Sequence, residues 1–119
     1  MQGPRTLARA AAAATLSLAA LLPAQAQDTL KIGLVLPMTG QQATTGRQID
    51  AAVKLYLAQN GNTVAGKKIE VLLKDDASNP DQTRRLAQEL VVNDKVVALA
   101  GFGITPSAMA TAPIATQSK

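Results

Sequence analysis

A chain of 119 residues with no cysteine and no histidine has no disulfides, no thiol chemistry, no common zinc ligand set and no histidine general base. Hydrophobic residues make up 47% and aromatics only 2%, an aliphatic composition of the kind buried sheets require. The formal charge is +4, but the basic residues are dispersed, with Lys67-Lys68 and Arg84-Arg85 as the only pairs and almost no aromatics between them, so a nucleic-acid surface is not expected.

Arg5 and Arg9 form a short basic head, and residues 10–22 an apolar run of 13 that Pro23 breaks. Ala24-Gln25-Ala26 then supplies a small-x-small cleavage pattern. Residues 1–26 therefore read as a secretory signal peptide cut after Ala26. A membrane span would need roughly 20 apolar residues, and no cysteine near the cut could carry a lipid, so no membrane anchor is expected. Removing Arg5 and Arg9 leaves ten basic against eight acidic residues, near +2. The remaining 93 residues, 27–119, suffice for one small domain held together by its core alone.

The first strand is the apolar run Ile32 to Leu36, interrupted only by Gly33 and stopped by Pro37. Its length and lack of alternation predict a strand buried on both faces, as in a parallel sheet. A polar loop, Thr39 to Thr45, precedes a helix whose Ile49, Ala52, Val53, Tyr56 and Leu57 fall on one stripe. Thr45 followed three residues later by Gln48 predicts a capping box at its start. Asn60-Gly61 predicts its end, with Gly61 in the left-handed conformation, and Asn62 to Gly66 reads as a loop.

Lys68 to Lys74 is the second strand, with charged ends that suit a place near a sheet edge, and Asp75 to Asn79 the next loop. Asn79-Pro80-Asp81-Gln82 is a helix start: cap, proline at the first position, then an acid. That helix puts Thr83, Leu86, Ala87, Leu90 and Val91 inside and Arg84, Arg85 and Glu89 outside, and Asn93-Asp94 ends it. Lys95 to Ala100 is the third strand and Gly101 to Ile104 a glycine-rich loop. Thr105-Pro106 repeats the signature of a cap followed by proline. Pro113 removes a hydrogen bond from the helix that follows, which is then either kinked or begins again near Pro113.

The order βα-βα-βα predicts an α/β fold, a parallel sheet with flanking helices and right-handed crossovers. Three strands would leave an unpaired apolar edge. The chain therefore reads as the front part of a longer protein, and residues 27–119 alone are expected to be poorly soluble or only partly folded.

The motifs of phosphate and acyl chemistry do not fit. Gly40 to Arg47 has five residues between its glycines where a P-loop has four, and arginine where the P-loop has lysine. In the stretch Ala100 to Pro106, proline stands where a dinucleotide fingerprint needs its third glycine. Ser107 lacks a nucleophile elbow and any histidine to activate it. Asp75-Asp76 reads better as strand termination and help with the following cap than as a catalytic pair. No enzyme activity, metal or cofactor is expected.

What remains is a binding edge. In a parallel α/β sheet ligands bind at the carboxyl ends of the strands. Thr39, Gly40, Thr44 and Thr45 follow the first strand; Gly101, Gly103, Thr105 and Ser107 follow the third. Glycines admit close backbone N–H groups, hydroxyls donate and accept, and a helix N-terminus attracts a carboxylate. The same residues could also serve only to cap helices.

The proline-x-threonine-glycine loop with Gly46, the Asp75-Asp76 strand end and the apolar strand leading to Gly101 resemble the amino-terminal lobe of type I periplasmic binding proteins. Within them the chain is most similar to the branched-chain amino-acid (leucine/isoleucine/valine) type of ABC-transporter substrate-binding protein. The resemblance spans nearly all of Lys31 to Lys119. It implies an incomplete first lobe of a two-lobed periplasmic protein that closes on a small ligand and docks on a membrane permease. By position it implies Thr105 as the hydroxyl on an amino-acid head, Gly103 and Ile104 as neighbouring backbone, and Thr45 as the first-loop residue that covers the ligand. The ligand implied is a branched-chain or other amino acid, an amide or an aromatic acid. A ligand-sensing domain of a receptor or regulator with the same fold is the alternative. An exported α/β enzyme would need catalytic residues beyond Lys119.

Overall fold

The computed structural model describes residues 28–118, so the signal peptide expected over residues 1–26 lies outside the described residues. In chain order they form β1 (Thr29–Leu36), α1 (Ala43–Asn60), β2 (Thr63–Val64), β3 (Lys67–Asp75), α2 (Pro80–Val92), β4 (Ala98–Gly101) and α3 (Thr105–Gln117). The sheet order is β2-β3-β1-β4. β1 runs parallel to both neighbours, with Leu34 opposite Leu73 on one side and Ala100 on the other. Paired on both edges, β1 buries Gly33 to Leu36, as its apolar run predicts.

The three long strands are parallel as expected, and a fourth makes the sheet mixed. Thr63 and Val64 pair antiparallel with Lys68 and Lys67. The intervening Ala65 and Gly66 have φ of 50° and 78°, both positive, as a two-residue hairpin turn of right-handed twist requires. A two-residue strand is too short to leave any alternation in the sequence.

Several boundaries differ from the sequence-based expectations. β4 begins at Ala98 rather than Lys95, because Lys95 has a φ of 57° and the Val96 N–H still donates to the Leu90 carbonyl at the end of α2. α1 begins at Ala43 with Gln42 as cap and no capping side chain, so the Thr45–Gln48 capping box does not form. A partner from another loop starts the helix earlier: the Gln42 N–H donates to Ser78 Oγ at 3.1 Å. α3 is capped at Ile104, and Thr105 is its first helical residue. The helix then runs through Pro113 to Gln117 without restarting.

Other local signals are realised. Asn79 Oδ1 accepts from the N–H groups of Asp81 and Gln82 at 2.9 and 3.2 Å, capping α2. Gly61 ends α1 and its N–H donates to the Leu57 carbonyl, but its φ of 74° and ψ of 179° are not the left-handed helical conformation expected of it.

α2 covers one face of the sheet and packs on α3. A Cβ at Gly33 would stand 2.8 Å from Leu90 Cδ1, so the glycine is what lets Leu90 reach β1. Val35, Ala87 and Leu90 are fully buried there, as is Thr83. α1 faces the opposite side above an open apolar groove of about 610 Å³ lined by Ile32, Ile49, Val53, Tyr56, Val64 and Val71. Among the described residues no helix is long and apolar enough to cross a membrane.

Candidate functional site

The parallel strands β1, β3 and β4 end at Leu36, Asp75 and Gly101, and their loops meet along one edge. Pro37, fully buried, is the point on which two of them close. A Cβ at Gly46 would lie 2.2 Å from the Pro37 carbonyl oxygen, and one at Gly103 would lie 2.5 Å from Pro37 Cγ. Only glycine admits these approaches, because any larger residue would force the backbone apart. The first turn of α1, which carries Thr45, and the residues leading into α3, Gly103 to Thr105, are thereby set on Pro37. The structure thus brings the expected site residues to one edge.

The aspartate pair at the end of β3 joins the loops. Asp75 Oδ1 accepts from the N–H groups of Met38, Thr39 and Ala77 at 2.9, 3.2 and 2.8 Å, and Oδ2 from the Thr39 hydroxyl at 2.7 Å. Burial pushes the Asp75 carboxyl up, but these bonds, led by the one from the Thr39 hydroxyl, outweigh it and hold the group below the usual carboxylate range. Asp76 is buried; its Oδ1 accepts from the Ser78 N–H at 3.0 Å and its Oδ2 from the Thr83 hydroxyl at 2.7 Å. Both carboxylates are engaged inside the fold, in keeping with the structural reading of the pair.

The hydroxyls of the edge divide into two groups. Thr39 is exposed but gives its hydroxyl hydrogen to Asp75, and Ser107 is fully buried with its Oγ 2.8 Å from Thr83 Oγ1. Thr44, Thr45 and Thr105 are exposed, and their hydroxyls have no partner among the described residues. The N–H groups of Gly103, Ile104 and Thr105 likewise donate to no described group, while those of Ser107 and Ala108 bond the Ile104 carbonyl. Sequence reasoning missed Thr83 as the link between loops, since its partners lie seven and 24 residues away.

Capping separates the three helices. α2 has a side-chain cap and an acid, Asp81, in its first turn; α1 and α3 have neither. The positive ends of α1 and α3 therefore lie open at the edge, with Arg47 Nε 3.5 Å from the Met38 carbonyl beside them. This arrangement suits a small anion held by N–H groups and hydroxyls. Both aspartates at the end of β3 are already hydrogen-bonded within the fold. Among the described residues two large apolar grooves lie under α1, away from this edge.

Comparison with known proteins adds the relatives. The sequence profile of the family described as periplasmic binding protein matches residues 29–119. A Leu/Ile/Val-binding protein homolog 6 from Brucella abortus (strain 2308) is 42% identical over 91 residues, 76% of this chain and 23% of the relative. The crystal structure of a solute binding protein of an ABC transporter from Rhodopseudomonas palustris BisB5, in complex with 3,4-dihydroxybenzoic acid, is 69% identical. It superposes with a TM-score of 0.75 over 76% of this chain and 25% of that one. A leucine binding protein, LivK, from Thermotoga maritima MSB8 is 29% identical with a TM-score of 0.71, over 75% and 25%. The chain spans about a quarter of the length of the relatives it matches.

Proposed function

The chain belongs to the periplasmic binding protein family, and from that premise we propose that it is the front part of the first lobe of a periplasmic solute-binding component of an ABC importer. In this reading residues 1–26 are a cleaved signal peptide and residues 27–119 the first three βα units of the lobe. Two lobes close on the solute by a hinge motion that shifts the balance of open and closed states, and the closed form delivers it to a membrane permease. The protein binds and releases; it does not catalyse.

The solute proposed is a small aromatic carboxylate of the hydroxybenzoate class. Its carboxylate sits at the start of α3 on the N–H groups of Gly103, Ile104 and Thr105 and on the Thr105 hydroxyl, while Thr45 covers it from α1. One observation carries this reading: the two uncapped helix starts meet at an edge whose aspartates are both engaged elsewhere. The 69% identity to a dihydroxybenzoate-binding protein points the same way.

A branched-chain amino acid is the second reading, favoured by the 42% identity to a Leu/Ile/Val-binding homologue. Titration calorimetry of the full-length protein with 3,4-dihydroxybenzoate and, separately, with leucine decides between them. Saturable heat with the aromatic acid and none with leucine is expected; the reverse would overturn the proposal.

A further inference from the structure

The three loops of the edge do not merely lie side by side; they are tied to one strand end. The carboxylates of Asp75 and Asp76 each bond an N–H two residues ahead, that of Ala77 at 2.8 Å and that of Ser78 at 3.0 Å. Ala77 and Ser78 are thereby held at φ of 50° and 63°, a left-handed pair that neither residue type favours on its own. The turn presents Ser78 Oγ to the Gln42 N–H at the start of α1, while Asp75 holds Met38 and Thr39 just before it.

On the other side, Asp76 Oδ2, Thr83 Oγ1 and Ser107 Oγ make a buried line of oxygens 2.7 and 2.8 Å apart. A threonine hydroxyl has one hydrogen, and a carboxylate can only accept. The Asn79 carbonyl, 2.9 Å from Thr83 Oγ1, can likewise only accept, so Thr83's one hydrogen is shared between that carbonyl and Asp76 Oδ2, and Ser107 supplies the one between Ser107 and Thr83. Ser107 stands two residues after Thr105, and its N–H bonds the Ile104 carbonyl at 3.1 Å. Fixing Ser107 thus fixes the first turn of α3.

We infer that Asp75 and Thr83 are positioning residues of the ligand edge: Asp75 sets the loop and first turn that carry Thr45, and Thr83, through Ser107, sets the first turn of α3 that carries Thr105. Neither touches the solute. The inference deepens the proposed function and rests on its reading of the edge as the solute site. Its physical content is that a fixed array of donors binds a carboxylate better than a loose one, because less ordering remains to be done on binding.

The test uses the full-length protein and 3,4-dihydroxybenzoate as probe. Thr83→Val keeps the shape and removes the hydroxyl, leaving Ser107 and Asp76 without their bond; affinity should fall by about tenfold. Thr83→Ser keeps the hydroxyl and should bind within about twofold of wild type by the same bond arithmetic. Leu90→Ala, remote from the line of oxygens, should lower stability and leave affinity unchanged. Equal affinity for Thr83→Val and wild type would overturn the inference, as would equal weakening by Thr83→Val and Leu90→Ala. Hydrogen exchange in the ligand-free protein separates the two claims. Thr83→Val should speed exchange of the Ser107 and Ala108 amides by about tenfold or more. If wild type ignores the probe, the solute reading falls, and unchanged exchange at those amides would then sink the positioning claim by itself.

Discussion

Under α2 the sheet is closed: Thr83, Ala87 and Leu90 have no exposed surface, and Gly33 is the hollow that receives Leu90. Under α1 it stays open, with Tyr56 65% and Val64 63% exposed around the apolar groove, and Gly46 the one buried residue of an 18-residue helix. The two helices differ in where they are anchored. α2 packs along its length, whereas α1 is held at its first turn, where Gly46 rests on the Pro37 carbonyl. An apolar stripe thus marks the face a helix turns to the sheet, but close burial follows only where small residues admit the approach.

The largest test of that contrast is a pair of truncations in this chain. Leu90→Ala should cost about 2–5 kcal/mol, as for a fully buried leucine, and Ile49→Ala, at a residue 36% exposed, under about 1 kcal/mol. Chemical denaturation of both variants checks it. Equal losses would mean that the α1 face is packed as tightly as the other.

Capping gives a smaller version of the same comparison. Asn79→Ala removes the bonds to Asp81 and Gln82 and should cost about 1 kcal/mol, read as a shift in the denaturation midpoint. Gln42→Ala removes no capping bond and should leave stability unchanged within about 0.5 kcal/mol.

The smallest expected effect is a pH dependence. Asp75 is held below the usual carboxylate range, so its contribution is full above the unfolded value, about pH 4, and is lost as the pH falls through its folded value. Melting temperatures measured from neutral pH down past about pH 4 should fall less steeply for Asp75→Asn than for wild type. Parallel curves would show that the Asp75 charge adds nothing to the loop it holds.

The sequence was legible where a signal is local. The apolar run from Ile32 to Leu36, interrupted only by Gly33, predicted a strand buried on both faces, and Asn79-Pro80 predicted the start of α2, because both depend on neighbouring residues alone. It misled where a distant partner decides. The Thr45–Gln48 pattern has the form of a capping box, yet Ser78 binds the Gln42 N–H and starts α1 earlier. β2 exists only through its pairing with Lys67 and Lys68. At the site, strand–loop–helix order was enough to put Thr45, Gly103, Ile104 and Thr105 at one edge. Composition could not divide the hydroxyls, however: Ser107 looks as available as Thr105 until Thr83 is seen against it.

On the proposed function, the open start of α3 receives the solute's carboxylate. Titrating 3,4-dihydroxybenzoate into isotope-labelled full-length protein and following the amide signals tests it most directly. The Gly103, Ile104 and Thr105 amides should shift most among those of the first three βα units, in the sense of a new hydrogen bond to an anion. Saturable binding that leaves those three amides unmoved would contradict it.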